Sequence, residues 1–204
     1  MNSLPCAVQQ AIHDVQQGKP VIIIDNHDRE NEGDLMIAAE KASPETLAFM
    51  ARYARGLMCL PCTGDRLERL GISMMQSNNL DKFATPFANS IDAAKGVSSG
   101  VSIHDRLVAI NKFVSESSVP EDFAQPGHLF PLKARPKLLQ ERQGHTESSV
   151  ELCLLASLKP VAIIIEIMND NGTMAKLPEL KDFAILHNLN IVSISDIYKY
   201  KYES

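Results

Sequence analysis

Two isoleucine-rich runs, "PVIII" at residues 20–24 and "VAIIIEIM" at 161–168, constrain the fold more than any other feature of this chain. Neither alternates polar with apolar residues, so each reads as a buried strand. Helical patterns stand between and around them. Val8, Ala11, Ile12 and Val15 share one helical face, and Gly18 is placed to end that helix. "SPETLAFMARYARG" offers a serine N-cap, a proline at the first helical position and a glycine stop. Ser102 caps "SIHDRLVAINKFV", with Asp105 three residues on. "TGDRLERLG" and "HTESSVELCLLASL" read as helices, and "LPELKDFAILHNLNIVSISDIYKY" as helix, short strand, helix. Further strands are expected at "DLMIAAE", "GLMCLP" and "HLFPLKA", the last after a loop through "VPEDFAQPG". Residues 76–100 are polar, with a short strand at "FANSID", and "NDNGTMA" is a tight turn around Asn171-Gly172. Strands and helices alternate without strict βαβ regularity. The expectation is one α/β (α+β) domain over residues 1–204, a mixed β-sheet with flanking helices.

The 204 residues suffice for one core that buries roughly 70% of the unfolded surface. With 45% hydrophobic and 22% charged residues, the composition is that of a soluble globular protein. A net charge of -5 argues against nucleic acid or an anionic membrane as partner, while leaving room for a local basic pocket. "MNSLPCAVQQAIHDVQQG" has neither an apolar core of signal-peptide length nor a basic leader, and no run approaches membrane-spanning length. A cytoplasmic protein is expected. Cys59 and Cys62 in "CLPC" are compatible with a redox pair or half a zinc site, and equally with a buried strand.

Chemistry can live in three places. After the first run, "DNHDRENEGD" packs five carboxylates into ten positions. Asp28, Glu30, Glu32 and Asp34, with Arg29 among them, suit a hard cation; an acidic surface loop is the alternative. The ligand order and terminal glutamate of an EF-hand are missing. "RQGHTE" then runs into a helix: Arg142 can clamp a phosphate, Gly144 lets the backbone approach it, and Thr146 and the helix N-terminus offer donors. His145 between them can bind metal or carry protons, unless the segment is an ordinary helix cap. Finally, Glu166 interrupts an apolar run, where desolvation should raise its pKa and suit it to acid–base work. A solvent-facing strand end is the alternative for Glu166, as a packed loop histidine is for His128. Together these residues supply what enolisation of a sugar phosphate requires.

"DRENEGD", "PGHLFPL", "GHTE" and "NDNGTMA", in this order, resemble the signature segments of the 3,4-dihydroxy-2-butanone 4-phosphate synthases of riboflavin biosynthesis. The resemblance covers nearly the whole chain and points to the stand-alone form, without a GTP cyclohydrolase II module. It implies a magnesium-dependent lyase, tolerant of manganese, with two ions per site. The implied enzyme is a homodimer with sites near the subunit interface, converting D-ribulose 5-phosphate to L-3,4-dihydroxy-2-butanone 4-phosphate and formate. Carried over by motif, Glu30 and His145 are the metal ligands. Arg29, Glu30, Asp34, Arg142, Gln143, Gly144, His145, Thr146 and Glu166 bind substrate, with the phosphate at the Arg142 end. His128 and Glu166 take the proton-transfer positions. Cys59 is pocket wall, and Asp92, Ser98 and Ser99 fall where substrate-facing residues are expected.

The chain departs from the family pattern at several positions. Asn26 and His27 replace carboxylates, Ala88 and Asn89 replace threonine and valine, serines replace threonines in "GVSSG", and Gln143 stands where glycine is common. Loss of a hydroxyl at Ala88 could alter substrate contacts, and Gln143 could crowd the phosphate clamp. Two alternatives therefore stand beside the synthase: a degenerate copy that binds sugar phosphate or metal as a regulatory or assembly subunit, and another metal-dependent sugar-phosphate isomerase or aldolase.

Overall fold

A computed structural model describes residues 4–76 and 78–203. Residues 1–3 of the leader stretch and Ser77 of the polar segment lie outside them. Seven strands form one mixed sheet: β1 (Val21–Ile24), β2 (Gly33–Ala38), β3 (Cys59–Cys62), β4 (Ile91–Ala93), β5 (Phe123–Lys133), β6 (Ala162–Glu166) and β7 (Ile191–Ser193), in spatial order β4-β5-β3-β6-β2-β1-β7. β1 is antiparallel to β2 and β2 to β6, while β3 runs parallel to β5 and β1 to β7.

The apolar runs are explained by two cores. Val21 and Ile23 face one, with Met36, Ala38 and Ile164; Ile22 faces the other, with Leu35, Ile37, Ile163 and Ile165. Successive strand residues point to opposite faces, so a sheet covered on both sides admits no polar alternation. The first core is closed by α1 (Leu4–Gln16), α5 (His145–Leu155) and α7 (Ile194–Tyr202), through Val8, Leu152 and Ile197. The second is closed by α2 (Pro44–Tyr53), α3 (Gly64–Arg69), α4 (Ile103–Val114) and α6 (Leu177–His187), through Met50, Leu67, Phe113 and Leu180.

Local signals set most boundaries. Ser43 accepts the Thr46 N–H and Ser102 that of Asp105, as capping predicts. Gly18 and Gly172 take positive φ of 73° and 83° at their turns. Three boundaries differ from expectation. β5 begins at Phe123, so "FAQPG" is strand and not loop: Phe123 and Ala124 pair with Ala93 and Asp92, and Pro126, after a cis peptide bond, lies within the strand. Of "FANSID" only Ile91 and Asp92 are strand, which runs on to Ala93, while Phe87 and Ala88 make isolated bridges instead. At the end of α2 it is Arg55, not Gly56, that takes the left-handed conformation (φ 74°).

Cys59 and Cys62 stand three residues apart on β3, which sends their side chains into opposite cores. Both are buried free thiols, and burial pushes each thiol pKa upward. The redox-pair reading of "CLPC" is therefore corrected: the strand reading holds. Among the described residues, no helix is long and apolar enough to cross a membrane.

Candidate active site

Asp34 and Glu166 are Cα partners at the ends of β2 and β6. The acidic loop connects β1 to β2 beside them, and the first turn of α5 brings His145 and Thr146 to the same place. Between these elements lies a cavity of ≈230 Å³, lined by Arg29, Glu30, Glu32, Asp34, Cys59, Arg142, His145, Thr146 and Glu166, among others. A larger cavity of ≈590 Å³ shares Thr85 and Phe87 with it, but none of the residues singled out in the sequence lines that one. The residues singled out in the sequence gather around the smaller.

The acidic loop is organised by Asp25. Its Oδ2 accepts from Arg29 Nη1 and the Glu30 backbone N–H, both at 3.0 Å, and its Oδ1 from the Glu32 N–H at 2.9 Å. Arg29 lies between Asp25 and Glu30 (2.7 Å to Oε2) and stacks over the Phe83 ring at 5.3 Å. The Lys176 ammonium donates to the Glu30 carbonyl at 3.3 Å from the start of α6. Internal cations thus offset the clustered acids, while Asp28 projects fully into solvent.

Glu30 Oε2 lies 3.4 Å from His145 Nδ1, and Asp34 Oδ1 lies 4.0 Å from His145 Nε2. Burial opposes charge on Glu30, yet the His145 hydrogen bond and Arg29 outweigh it and hold the carboxyl below its ordinary value. Burial alone would lower the His145 pKa; the Asp34, Glu30 and Asp25 carboxylates reverse this and lift it to about 9. Asp34, 3% exposed, is pushed up to about 7, by burial first and by Glu166 and Glu30 in addition.

His145 Nε2 is buried without a hydrogen-bond partner among the described residues, and ligand atoms of Asp25, Glu30 and His145 all lie within 4.8 Å of one another. An orphaned imidazole nitrogen beside carboxylate oxygens fits a divalent cation. Asp25 already accepts three hydrogen bonds, which leaves Glu30 and His145 as the better-placed ligands.

Arg142 is fixed from behind. Its Nη1 donates to Glu147 Oε2 (2.6 Å), and Nε and Nη2 donate to the Phe83 carbonyl (3.3 and 3.1 Å). Two of its five N–H donors remain for a ligand. Gly144 has a different use from the expected one: a Cβ there would fall 2.2 Å from Arg142 Nη1. It makes room for the Arg142–Glu147 pair. Gly56 likewise makes room for Glu166: a Cβ would fall 2.3 Å from Oε2, the oxygen that accepts the Leu57 N–H at 2.8 Å. Glu166 itself is only half-buried at the strand end. The enclosed carboxyl expected at Glu166 is instead found at Asp34.

Several sequence-chosen residues lie elsewhere. Gln143 is exposed and does not line the cavity, so it does not crowd Arg142 there. Ala88 is packed in the core, away from the cavity. His128 is exposed on β5 and paired with Asp92; Ser98 donates to Asp105, and Ser99 is exposed. None of these lines the cavity. The sequence reading missed Asp25, Phe83 and Thr85. An acid closing an apolar strand was a usable signal for Asp25; a lone aromatic in a polar stretch was a weak one for Phe83.

Residues 9–200 match the family model for 3,4-dihydroxy-2-butanone 4-phosphate synthase. The chain belongs to that family. It is 51% identical over 196 residues to the riboflavin biosynthesis protein RibBA of Aquifex aeolicus, covering 95% of this chain but 48% of that protein. It is 45% identical over 193 residues to the synthase of Agrobacterium fabrum, covering 95% of this chain and 91% of the relative. The chain thus spans about half the length of the first of these relatives and nearly all of the second. A solved synthase structure in complex with two magnesium ions superposes with a TM-score of 0.90 at 34% identity, covering 100% of this chain and 98% of that one. The mixed sheet with flanking helices is therefore the family's fold.

Proposed function

We propose that residues 1–204 form a single catalytic domain that converts D-ribulose 5-phosphate to L-3,4-dihydroxy-2-butanone 4-phosphate and formate, in the cytoplasm. One observation carries this reading: residues more than a hundred positions apart, Glu30 and His145, meet at 3.4 Å in a cavity that Asp34, Arg142, Thr146 and Glu166 also line.

Glu30 and His145 would hold magnesium, or manganese in its place, with two ions per site; a solved relative is in complex with two magnesium ions. The metal supplies Lewis-acid stabilisation of charge developing on substrate oxygens. Two protein ligands leave positions for substrate and water, as magnesium prefers. Arg142, held by Glu147, presents a fixed cation to the phosphate, next to Thr146 and the positive end of α5. Asp34 takes substrate hydroxyls. Arg29 steadies Glu30 and faces the substrate. Glu166, oriented by the Leu57 N–H, exchanges protons at the carbon skeleton.

His128 lies outside the cavity of its own chain. In a homodimer with sites near the interface, His128 of one copy serves the cavity of the other. Mixing inactive Glu30→Gln with inactive His128→Ala protein tests this. Mixed dimers have one intact site each, so roughly a quarter of wild-type activity returns under random exchange. No recovery after verified subunit exchange refutes service across the interface.

The reaction is tested by formate release from D-ribulose 5-phosphate after chelation, with and without added magnesium. Magnesium-dependent formate with a four-carbon phosphate supports the synthase. A rearranged sugar without formate, or binding without turnover, overturns it.

A further inference from the structure

Lys176 stands where a helix start least favours it. It is the N-cap of α6, at the positive end of the helix, and its side chain makes no capping bond; its backbone N–H goes to Glu179 Oε2 at 3.1 Å. The side chain reaches instead to the acidic loop, 146 positions away in sequence. Its Nζ donates to the Glu30 carbonyl at 3.3 Å and lies 3.7 Å from Glu32 Oε1. A residue that works against its own helix end while meeting a distant loop has a task outside the helix.

The loop depends on such ties. Behind it, towards the first turn of α6, lies a cavity of ≈260 Å³ lined by Asp25, Asn31, Glu32, Lys176 and Leu177, among others. Glu32 lines both this cavity and the one in front, so here the loop is a wall between two spaces. Glu30 is fixed through its two peptide groups. Its N–H donates to Asp25 Oδ2 at 3.0 Å and its carbonyl accepts from Lys176, which restrains the backbone on both sides of its Cα. Asn31 follows in the left-handed region, with φ 56°, so the chain turns sharply after the held carbonyl. The base under Lys176 is rigid: its own carbonyl accepts the Leu180 N–H at 2.8 Å, and Leu180 is 1% exposed in the core. A Cβ on Gly33 would fall 2.6 Å from Leu180 Cδ1, so α6 packs directly against the start of β2, where the loop ends.

We infer that Lys176 is a positioning residue for metal binding: by holding the Glu30 carbonyl and the Glu32 carboxylate, it keeps the loop in the pose that brings Glu30 Oε2 to 3.4 Å from His145 Nδ1. An ammonium carries three donors, enough for both acceptors. Its hydrogen bond is to a backbone oxygen and its ion pair is with Glu32, so it does not compete with a cation for the Glu30 carboxylate. The inference rests on the proposed metal role of Glu30 and His145.

Lys176→Met tests it, since methionine keeps most of the stem and removes the charge and the donors. Magnesium alone is titrated into the metal-free, full-length protein by calorimetry. Hydrogen exchange at the Glu30 and Glu32 amides, which donate to Asp25, reads the loop pose without any metal. The magnesium Kd should rise roughly tenfold, the scale on which partners behind a metal ligand act. The two amides should exchange roughly three- to tenfold faster, as loss of one partly exposed charged tie allows. Lys176→Arg, which restores charge and donors, should bring both back to within about threefold of wild type. The melting temperature of the chelated Lys176→Met protein should move by less than about 2 °C, because the side chain is 42% exposed. Unchanged exchange at the two amides, or faster exchange with an unchanged magnesium Kd, overturns the inference. A large melting-temperature drop that arginine does not rescue also overturns it, by making Lys176 a merely structural residue. Absence of magnesium binding in wild type instead defeats the metal reading of Glu30 and His145, while the exchange rates still report whether Lys176 holds the loop.

Discussion

Gly144→Ala puts the packing at the Arg142 end of the cavity to a quantitative test. The backbone at Gly144 has φ -116°, which alanine adopts freely, so no conformational strain enters. The added methyl would lie 2.2 Å from Arg142 Nη1 and 2.8 Å from its Cζ. The guanidinium must swing away, giving up Glu147 and the Phe83 carbonyl. Glu147 is 0% exposed and is then left with the Arg135 N–H at 3.2 Å. Breaking a buried ion pair from one side costs about 3–5 kcal/mol. The surviving hydrogen bond and the lower unfolded-state entropy of alanine, worth about 0.4–1 kcal/mol, reduce the net loss to about 2–3 kcal/mol. At this chain length that is a melting-temperature drop of roughly 4–12 °C. Thermal and urea unfolding measure it, and the Glu147→Gln background supplies the control. With the charge on residue 147 removed, the Gly144→Ala penalty should shrink by more than half. A loss below about 1 kcal/mol, or the same loss in both backgrounds, refutes the reasoning.

Three further outcomes are expected. Glu30→Gln abolishes magnesium-dependent formate release with a melting temperature close to wild type, because the residue is a half-buried loop carboxylate; near-normal turnover contradicts its role. Asp34, lifted to about 7, and His145, lifted to about 9, both bind protons more tightly folded than unfolded. Metal-free stability should therefore fall as pH rises, through Asp34 from about 4 to 7 and through His145 from about 6.5 to 9. Thermal melts with chelator show the slope, magnesium should flatten it, and a flat or rising chelator curve contradicts the electrostatics. Finally, mild oxidation should leave Cys59 and Cys62 as thiols in the folded protein, checked by mass after alkylation in denaturant.

Much of the molecule was legible because it follows from local rules. Unbroken isoleucine runs predict a sheet covered on both sides, and Ser43, Ser102 and Gly18 mark helix ends by their own chemistry. The residues lining the cavity were readable as types: acids after a strand, and Arg142, His145 and Thr146 at a helix start. What escaped depends on distant partners. Pro126 looked like a turn because nothing local reveals that β4 pairs alongside it. Gly56 and Gly144 were read as a helix stop and a ligand approach, but each exists to clear space for one side chain, Glu166 and Arg142. Asp25 looked like one more loop acid until its three donors came together. His128 carried a motif's promise but no address, since its partner Asp92 lies 36 positions away.

Asp34 and Glu166 face each other as register partners of an antiparallel ladder. Their spacing is therefore set by the repeat of the sheet and not by any loop. The loops at 25–32 and 78–90 can change length and reshape what enters the cavity, as surface connections generally do. The distance between these two acids has no such freedom. A single inserted or deleted residue within β2 or β6 turns one carboxylate to the other face of the sheet, into the opposite core. Change in this scaffold is thus divided between an adjustable mouth and a fixed gauge, and substrate range can drift while the spacing that serves the chemistry stays put.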